Sequence, residues 1–337
     1  MTVDDSTTDT ADLTAADVAW DIDSILPPGE TPAGLFDRAD EIADSLTGLR
    51  GRVADLDAGE LAAAMQTMAE LHDLMSRASY HAMLAFSTAT DDPARGAAMA
   101  AAQERSTAIG TKLIFFDLEW AAADDDHAAT VLADPRLDFC RHHLDTLRLS
   151  RPYLLSEAEE TIVAEKSQTG FGAWVRLFDE LTSAITVDLP DDLGGAGMPL
   201  MQGLAMMQHP DRSVRQQLAT AVTAGLEPGL RTRAYVFNTL LHDKAIDDRL
   251  RGYPSWVSSR NLANEASDES VQALVDAVVD SYSIAQRWYT LKAKVLGLDK
   301  LADYDRMASV ATADRDIGWA EGTQIVRDAY ASFSPEL

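Results

Sequence analysis

Between Ala33 and the C-terminal region the apolar residues recur at three- and four-residue intervals. The pattern predicts helices over 33–49, 58–88, 93–124, 136–148, 212–224, 229–249 and 312–332, separated by Pro, Gly and Asp breaks. The clearest helix start is Ser156, where Ser-Glu-Ala-Glu spells a capping box: the hydroxyl accepts from the Glu159 amide while the Glu159 carboxylate reaches back. Trp174, Leu177, Phe178 and Leu181 then mark that helix's buried face. A second strong start is Ser267, with Asp268 and Glu269 in the first turn, where the helix dipole favours acids. Val271, Leu274, Val275, Val278 and Tyr282 form its apolar stripe, and Gly297 is its C-terminal stop.

The period leaves the helical value at one place, 185–200. Ile185, Val187 and Leu189 alternate there, and Gly194, Gly195 and Gly197 can supply positive φ, so a short β-hairpin is predicted, which is also the best candidate domain boundary. No internal repeat of fixed period is present, which disfavours a helical solenoid. Residues 1–18 are Thr/Asp-rich and aperiodic and read as a disordered acidic tail, with order beginning near Trp20. The expected fold class is all-α, mainly helical with one short hairpin near 185–200.

Composition narrows the function classes. With 337 residues, 46% hydrophobic and 25% charged, the chain can bury one large core or two ordinary ones, which excludes a disordered, collagen-like or disulfide-scaffold protein. Lys plus Arg is 28 against 55 for Asp plus Glu, a formal charge of -27, so nucleic acid is not an expected partner. No apolar run approaches bilayer length, and the opening MTVDDSTTDTAD is acidic where a signal peptide is basic and then apolar. The expectation is a soluble, cytoplasmic protein without a membrane partner. Cys140 is the only cysteine, so no intrachain disulfide can form. Both salt adaptation and codon bias with a solubilising face fit the acidity, and lysines are scarce beside arginines.

The charge is uneven. Residues 1–60 hold fifteen acids and three bases, whereas 231–300 hold nine acids and ten bases, so a surface that meets an anionic group is expected within 231–300.

Catalytic motifs are mostly absent: no G-x-x-x-x-G-K-[ST], no G-x-G-x-x-G after a strand, no G-x-S-x-G and no H-E-x-x-H occurs. The glycines at 194–197 run into Met198 and Pro199, which suits a turn rather than a phosphate cradle. His142 and His143 are adjacent, so on a helix they point about 100° apart and do not face one metal. His242 with Asp243, Asp247 and Asp248 reads as a solvated acidic face, and Cys140 as a small core residue. What stands out is RGYPSWVSSRN, 251–261: Gly252 and Pro254 interrupt the helix where Arg251, Tyr253, Ser255, Trp256, Ser258, Ser259, Arg260 and Asn261 crowd together. A fixed cation, a phenol and hydroxyls suit a peptide or carboxylate binder, and equally arginines that brace neighbouring helices.

That run, followed by WYTLKAKVLGLDKLADYD over 288–305, resembles the oligoendopeptidase F group of the thimet-type zinc metallopeptidases. So does HHLDTLRLSRPYLLSEAEETIVAEKSQTGFGAW over 142–174, with Arg148 or Arg151, Leu155-Ser156 to Glu159-Glu160, and Gly170 to Trp174. WDIDSILP at 20–27 and Tyr304-Asp305 also match, whereas Met307-Ala308 stands where the group usually has a proline. The resemblance implies the N-terminal part of a clam-shaped, nearly all-helical peptidase with a deep channel for short unfolded peptides. It places 19–200 in an N-terminal helical domain and 201–337 in the opening, incomplete part of the zinc peptidase domain. In that group an H-E-x-x-H helix and a further Glu bind zinc, which polarises the scissile carbonyl and activates water. The chain stops at Leu337, before those residues are expected, so it is expected to contain no catalytic or metal residue, to bind no zinc itself and to be inactive alone.

The resemblance further implies that Arg251, Tyr253, Ser255, Arg260 and Asn261 line the substrate channel, and that the truncated chain exposes apolar surface and self-associates. The alternative is a complete, non-catalytic helical protein that uses 251–261 to bind a peptide or partner. Hydrolysis by a site unrelated to zinc needs a nucleophile with a base, and the sequence offers no such pair.

Overall fold

The computed structural model describes residues 20–310, 317–334 and 336, so the expected tail over 1–18 and the predicted helix start at 312 lie outside the described residues. The helices in chain order are α1 (Pro32–Leu46), α2 (Ala58–Ser87), α3 (Pro93–Ala122), α4 (Asp125–Leu132), α5 (Arg141–Leu149), α6 (Glu157–Ser167) and α7 (Phe171–Ser183). A two-stranded hairpin follows, β1 (Thr186–Val187) and β2 (Met198–Pro199). Then come α8 (Leu200–Ala205), α9 (Arg212–Leu226), α10 (Leu230–Arg251), α11 (Ser258–Ala263), α12 (Asp268–Asp280), α13 (Tyr282–Val295) and α14 (Trp319–Phe333). Asp23–Ala308 forms one compact unit, and α14 belongs to a second.

The expected capping chemistry is in place. Asp57 and Glu60 make a reciprocal capping box at α2, and Ser156 and Glu159 make the one foreseen at α6. Asp92 caps α3, with Pro93 in the first turn, where its missing N–H costs nothing. The long antiparallel pair α2 and α3 packs against α1 and α5, and a single apolar cluster fills the space between them. It includes Leu35, Phe36, Leu61, Leu71, Phe115, Phe116, Trp120, Leu137 and Leu144. Trp120 is fully buried, and its indole N–H is satisfied by the Leu144 carbonyl at 2.9 Å. Arg148 and Arg151 converge on the Ala123 carbonyl and on Asp125, tying the C-terminal end of α3 to α5.

The hairpin foreseen at 185–200 is present, pairing Thr186 with Pro199 and Val187 with Met198 in antiparallel register. Its turn uses left-handed Gly194 and Gly195. Gly225 of α9 lets the helix approach β1: an added Cβ would lie 2.5 Å from the Thr186 carbonyl oxygen.

Three expectations need correction. The helix opened by Ser156 does not run through Trp174 to Leu181; it ends before Gly170, which has φ -100° and ψ -112°, and α7 starts anew. The helix opened by Ser267 breaks at Ser281, whose amide turns back to the Ala277 and Val278 carbonyls. It stops at left-handed Gly297 as expected. The predicted 136–148 helix starts only at Arg141, because Pro135–Leu137 takes a tight 3₁₀ turn. A further difference is burial: Leu274, Val275, Val278 and Tyr282, the expected inward stripe, are exposed.

Candidate functional site

The segment 251–261 begins where α10 ends. Gly252 adopts φ 78°, a conformation that L side chains resist, and the Gly252 and Tyr253 amides both return to the Asp248 carbonyl. The chain is thereby turned sharply through Pro254. On the far side the loop is fastened to the start of α12: Ser255 and Ser258 share a 2.7 Å hydroxyl contact, and Ser258 donates to Asp268 at 3.3 Å. Asn261 donates to the other Asp268 oxygen at 2.7 Å.

Arg251 faces inward. Its guanidinium donates to both Glu160 oxygens of α6, at 2.7 and 2.9 Å, to the Tyr153 carbonyl at 3.3 Å and to Asp247 at 3.0 Å. This fork-to-fork pair holds the Glu160 carboxyl below its usual range, against the opposing effect of burial, and keeps Arg251 firmly protonated. Tyr253 stacks on Tyr153 at 4.2 Å between ring centroids, and burial raises its phenol pKa.

The expected channel residues therefore divide. Arg251 and Tyr253 brace the loop against α6 and the turn before it. Asn261 is buried and committed to Asp268, and Arg260 is exposed without an ion pair among the described residues. Ser255 and Tyr253 reach an open cleft of about 640 Å³, together with Leu241, Lys244, Ala245, Asp248, Arg249, Pro254 and Trp256. Trp256 is 79% exposed and is the most prominent group there. The reading of single residues missed Lys244, Arg249 and Leu241 because they lie one to three turns back along α10, on the helix face that the loop turns to meet. It also missed Glu160 as the partner of Arg251, although Glu160 sits in the Ser156 motif already singled out.

The charge surrounding this cleft is distinctive. Every Lys and Arg between 23 and 230 except Lys166 has a carboxylate partner. Between 231 and 308 only Lys244, paired with Asp248, and Arg251 have one among the described residues. Arg249 in the cleft is unpaired among the described residues.

Asp305, of the Tyr304-Asp305 pair, is a structural anchor. It is fully buried and accepts from Arg212 at 3.0 and 3.1 Å, from Arg215 at 2.9 Å and from the Ala302 amide at 2.9 Å. Burial pushes its pKa up, but the Arg212, Ala302 and Arg215 hydrogen bonds outweigh burial and hold it at about 2. His142 meets Glu265 at 2.7 Å, while His143 lines a separate cavity of about 220 Å³ with His72 and Asp117. Among the described residues no three His, Cys, Asp or Glu come together to hold a metal ion. No helix among them is long and apolar enough to cross a membrane.

Residues 119–186 match the family model described as Oligopeptidase F. That stretch contains Tyr153 and Glu160, the two residues that hold Arg251. The chain is 26% identical over 214 residues to Group B oligopeptidase PepB of Streptococcus agalactiae, covering 63% of this chain and 35% of that protein. It is 23% identical over 294 residues to Oligopeptidase PepF of Bacillus subtilis, covering 86% of this chain and 44% of that protein. The chain thus spans less than half the length of these curated relatives. Oligoendopeptidase-F from Enterococcus faecium superposes with a TM-score of 0.70 at 20% identity, over 82% of this chain and 56% of that one, a likeness of fold. The resemblance to the oligoendopeptidase F group and the helical fold class with its one hairpin are both borne out.

Proposed function

We propose that this chain is the helical, peptide-receiving portion of an oligoendopeptidase of the F type, acting on short unfolded peptides. In this reading 19–200 is an N-terminal helical domain and 201–337 opens the peptidase domain. The observation that carries it is the cleft at the end of α10, where Arg249 and Trp256 stand exposed on a loop braced by residues of the matched stretch 119–186.

The metal such an enzyme uses is zinc, and the described residues do not fit it: they bring no three ligands together. In this reading the ligands and the hydrolytic step belong to residues outside this chain, and what the chain contributes is binding and orientation. Leu241, Pro254 and Trp256 offer apolar contact to peptide side chains, and Arg249 offers a charge-assisted hydrogen bond to a carboxylate or carbonyl. Arg251, through Glu160, and Tyr253, through Tyr153, position the loop that carries Trp256. The exposed apolar stripe of α12 and α13 supports self-association of the isolated chain.

The test is to titrate the purified chain with fluorescein-labelled peptides of about eight residues by anisotropy, and to follow the same peptides by mass spectrometry with and without added zinc. Saturable binding, displaced by unlabelled peptide and unaccompanied by cleavage, is the expected result. Cleavage by this chain would overturn the assignment of the hydrolytic step to outside residues, and absence of binding would overturn the peptide-receiving role. The reading frame that follows codon 337 in the source DNA supplies a second check: H-E-x-x-H with a later Glu supports the enzyme, and a stop codon overturns it.

A further inference from the structure

The cleft at the end of α10 has a composition that selects among peptides. Its apolar lining comes from Leu241 and Ala245 of the helix and from Pro254 and Trp256 of the loop. Its charges come from three neighbouring positions on α10. Lys244 and Asp248 neutralise one another through their ion pair, which leaves Arg249 as the uncompensated charge, so the cleft carries a net single positive charge. The rest of the molecule is strongly acidic, with a formal charge of -27 overall, so an anion held here is held by a local cation against a repulsive background. Trp256, at 79% exposure, presents a broad ring face that neighbouring side chains leave uncovered. An apolar lining and one unpaired guanidinium match a ligand with one carboxylate beside one apolar side chain.

We propose that this cleft takes the C-terminal residue of a peptide, the free carboxylate paired with the Arg249 guanidinium and an apolar terminal side chain seated against Leu241 and Trp256. The inference rests on the peptide-receiving role proposed above and adds the substrate class: peptides with a free, apolar C-terminus. Arg is suited to this because its planar fork donates two parallel hydrogen bonds to a carboxylate. The Lys244–Asp248 pair prevents a second anion from entering, since any further carboxylate must compete with Asp248 for Lys244.

The experiment compares three N-terminally labelled peptides of one sequence on the whole chain: a free acid ending in Phe, its C-terminal amide, and the amide with Asp in the penultimate place. The free acid is expected to bind about tenfold more tightly than the amide, as loss of one charge-assisted bond implies. Arg249→Gln should erase that difference, and Trp256→Ala should weaken the free acid and the amide together. Both side chains are exposed, so an unchanged far-ultraviolet circular dichroism spectrum and melting curve are expected and separate binding from folding. Equal affinity for free acid and amide would overturn this inference while leaving the peptide-receiving role intact; no binding of any of the three would remove both. An Asp-bearing amide as tight as the free acid would overturn the terminal-carboxylate assignment in favour of a side-chain carboxylate.

Discussion

Residues 32–149 and residues 230–295 are made of the same element, amphipathic helix, and put it to opposite uses. In the first region α1, α2, α3 and α5 turn their apolar faces toward one another and bury Phe115, Phe116 and Trp120 almost completely. Its cations are all held by carboxylates: Lys112 bridges Asp40 and Asp44, Arg148 holds Asp125, and Arg50 reaches Glu157 just beyond the region. In the second region Val236 is the one apolar side chain that is fully buried, while Leu274, Val278, Ile284 and Leu291 face outward. Most of its cations hold no carboxylate among the described residues. The first region satisfies itself as a scaffold does, while the second leaves apolar stripes and charges uncommitted, which is where the proposed reading puts contact with something else.

The sharpest way to break that comparison is in the scaffold. Trp120→Ala leaves a large cavity and removes the indole hydrogen bond to the Leu144 carbonyl, and should cost about 3–5 kcal/mol in urea denaturation. A loss under 1 kcal/mol would mean that the first region is no better packed than the second. Asp305→Ala comes next. It strands the buried Arg215 charge and should cost about 3 kcal/mol.

The same carboxylate gives the comparison a pH signature. Its folded pKa of about 2 lies below the ordinary 3.8, so its contribution is fully present above about pH 4 and is lost as pH falls toward 2. The amount is roughly 2 kcal/mol. Asp305→Asn should flatten that acid limb of a stability-against-pH curve, and an unchanged limb would assign it elsewhere.

Smaller effects are expected where the second region is tied to α6. Glu160→Gln, which leaves Arg251 half-buried and without its bidentate partner, should cost about 1–2 kcal/mol. A double-mutant cycle with Arg251→Gln should return most of that as coupling energy. A cycle with no coupling would reduce this ion pair to a surface contact. The smallest effect on stability belongs to Leu274→Ser with Val278→Ser on α12, within about 0.5 kcal/mol. That pair should instead lower association measured by sedimentation velocity. A loss above about 2 kcal/mol would place the stripe inside this chain's own core.

Much of this was legible in the residues because it is local. The Ser156 capping box, the glycine-rich turn of the hairpin and the Gly297 stop depend on interactions within a few positions, and all stand in the structure. The breaks at Gly170 and Ser281 were not legible, since the apolar period runs on across both. The inward turn of Arg251 was not legible either. Its partner is 91 positions upstream, and residue types alone left it equally suited to holding a ligand or bracing a helix.

By itself the sequence determined the helical class, the place of the hairpin, the near-neutral segment 231–300 and the segment 251–261 as the place to look, because periodicity, capping and charge are properties of neighbouring residues. Tertiary structure alone decided which of those residues are spent on the fold and which stay free. Arg251 and Asn261 are consumed by Glu160 and Asp268, while Arg249 and Trp256 remain open. That decision depends on which helix packs against which. An amphipathic stripe states that a face is apolar, and only the arrangement of the other helices states whether anything covers it.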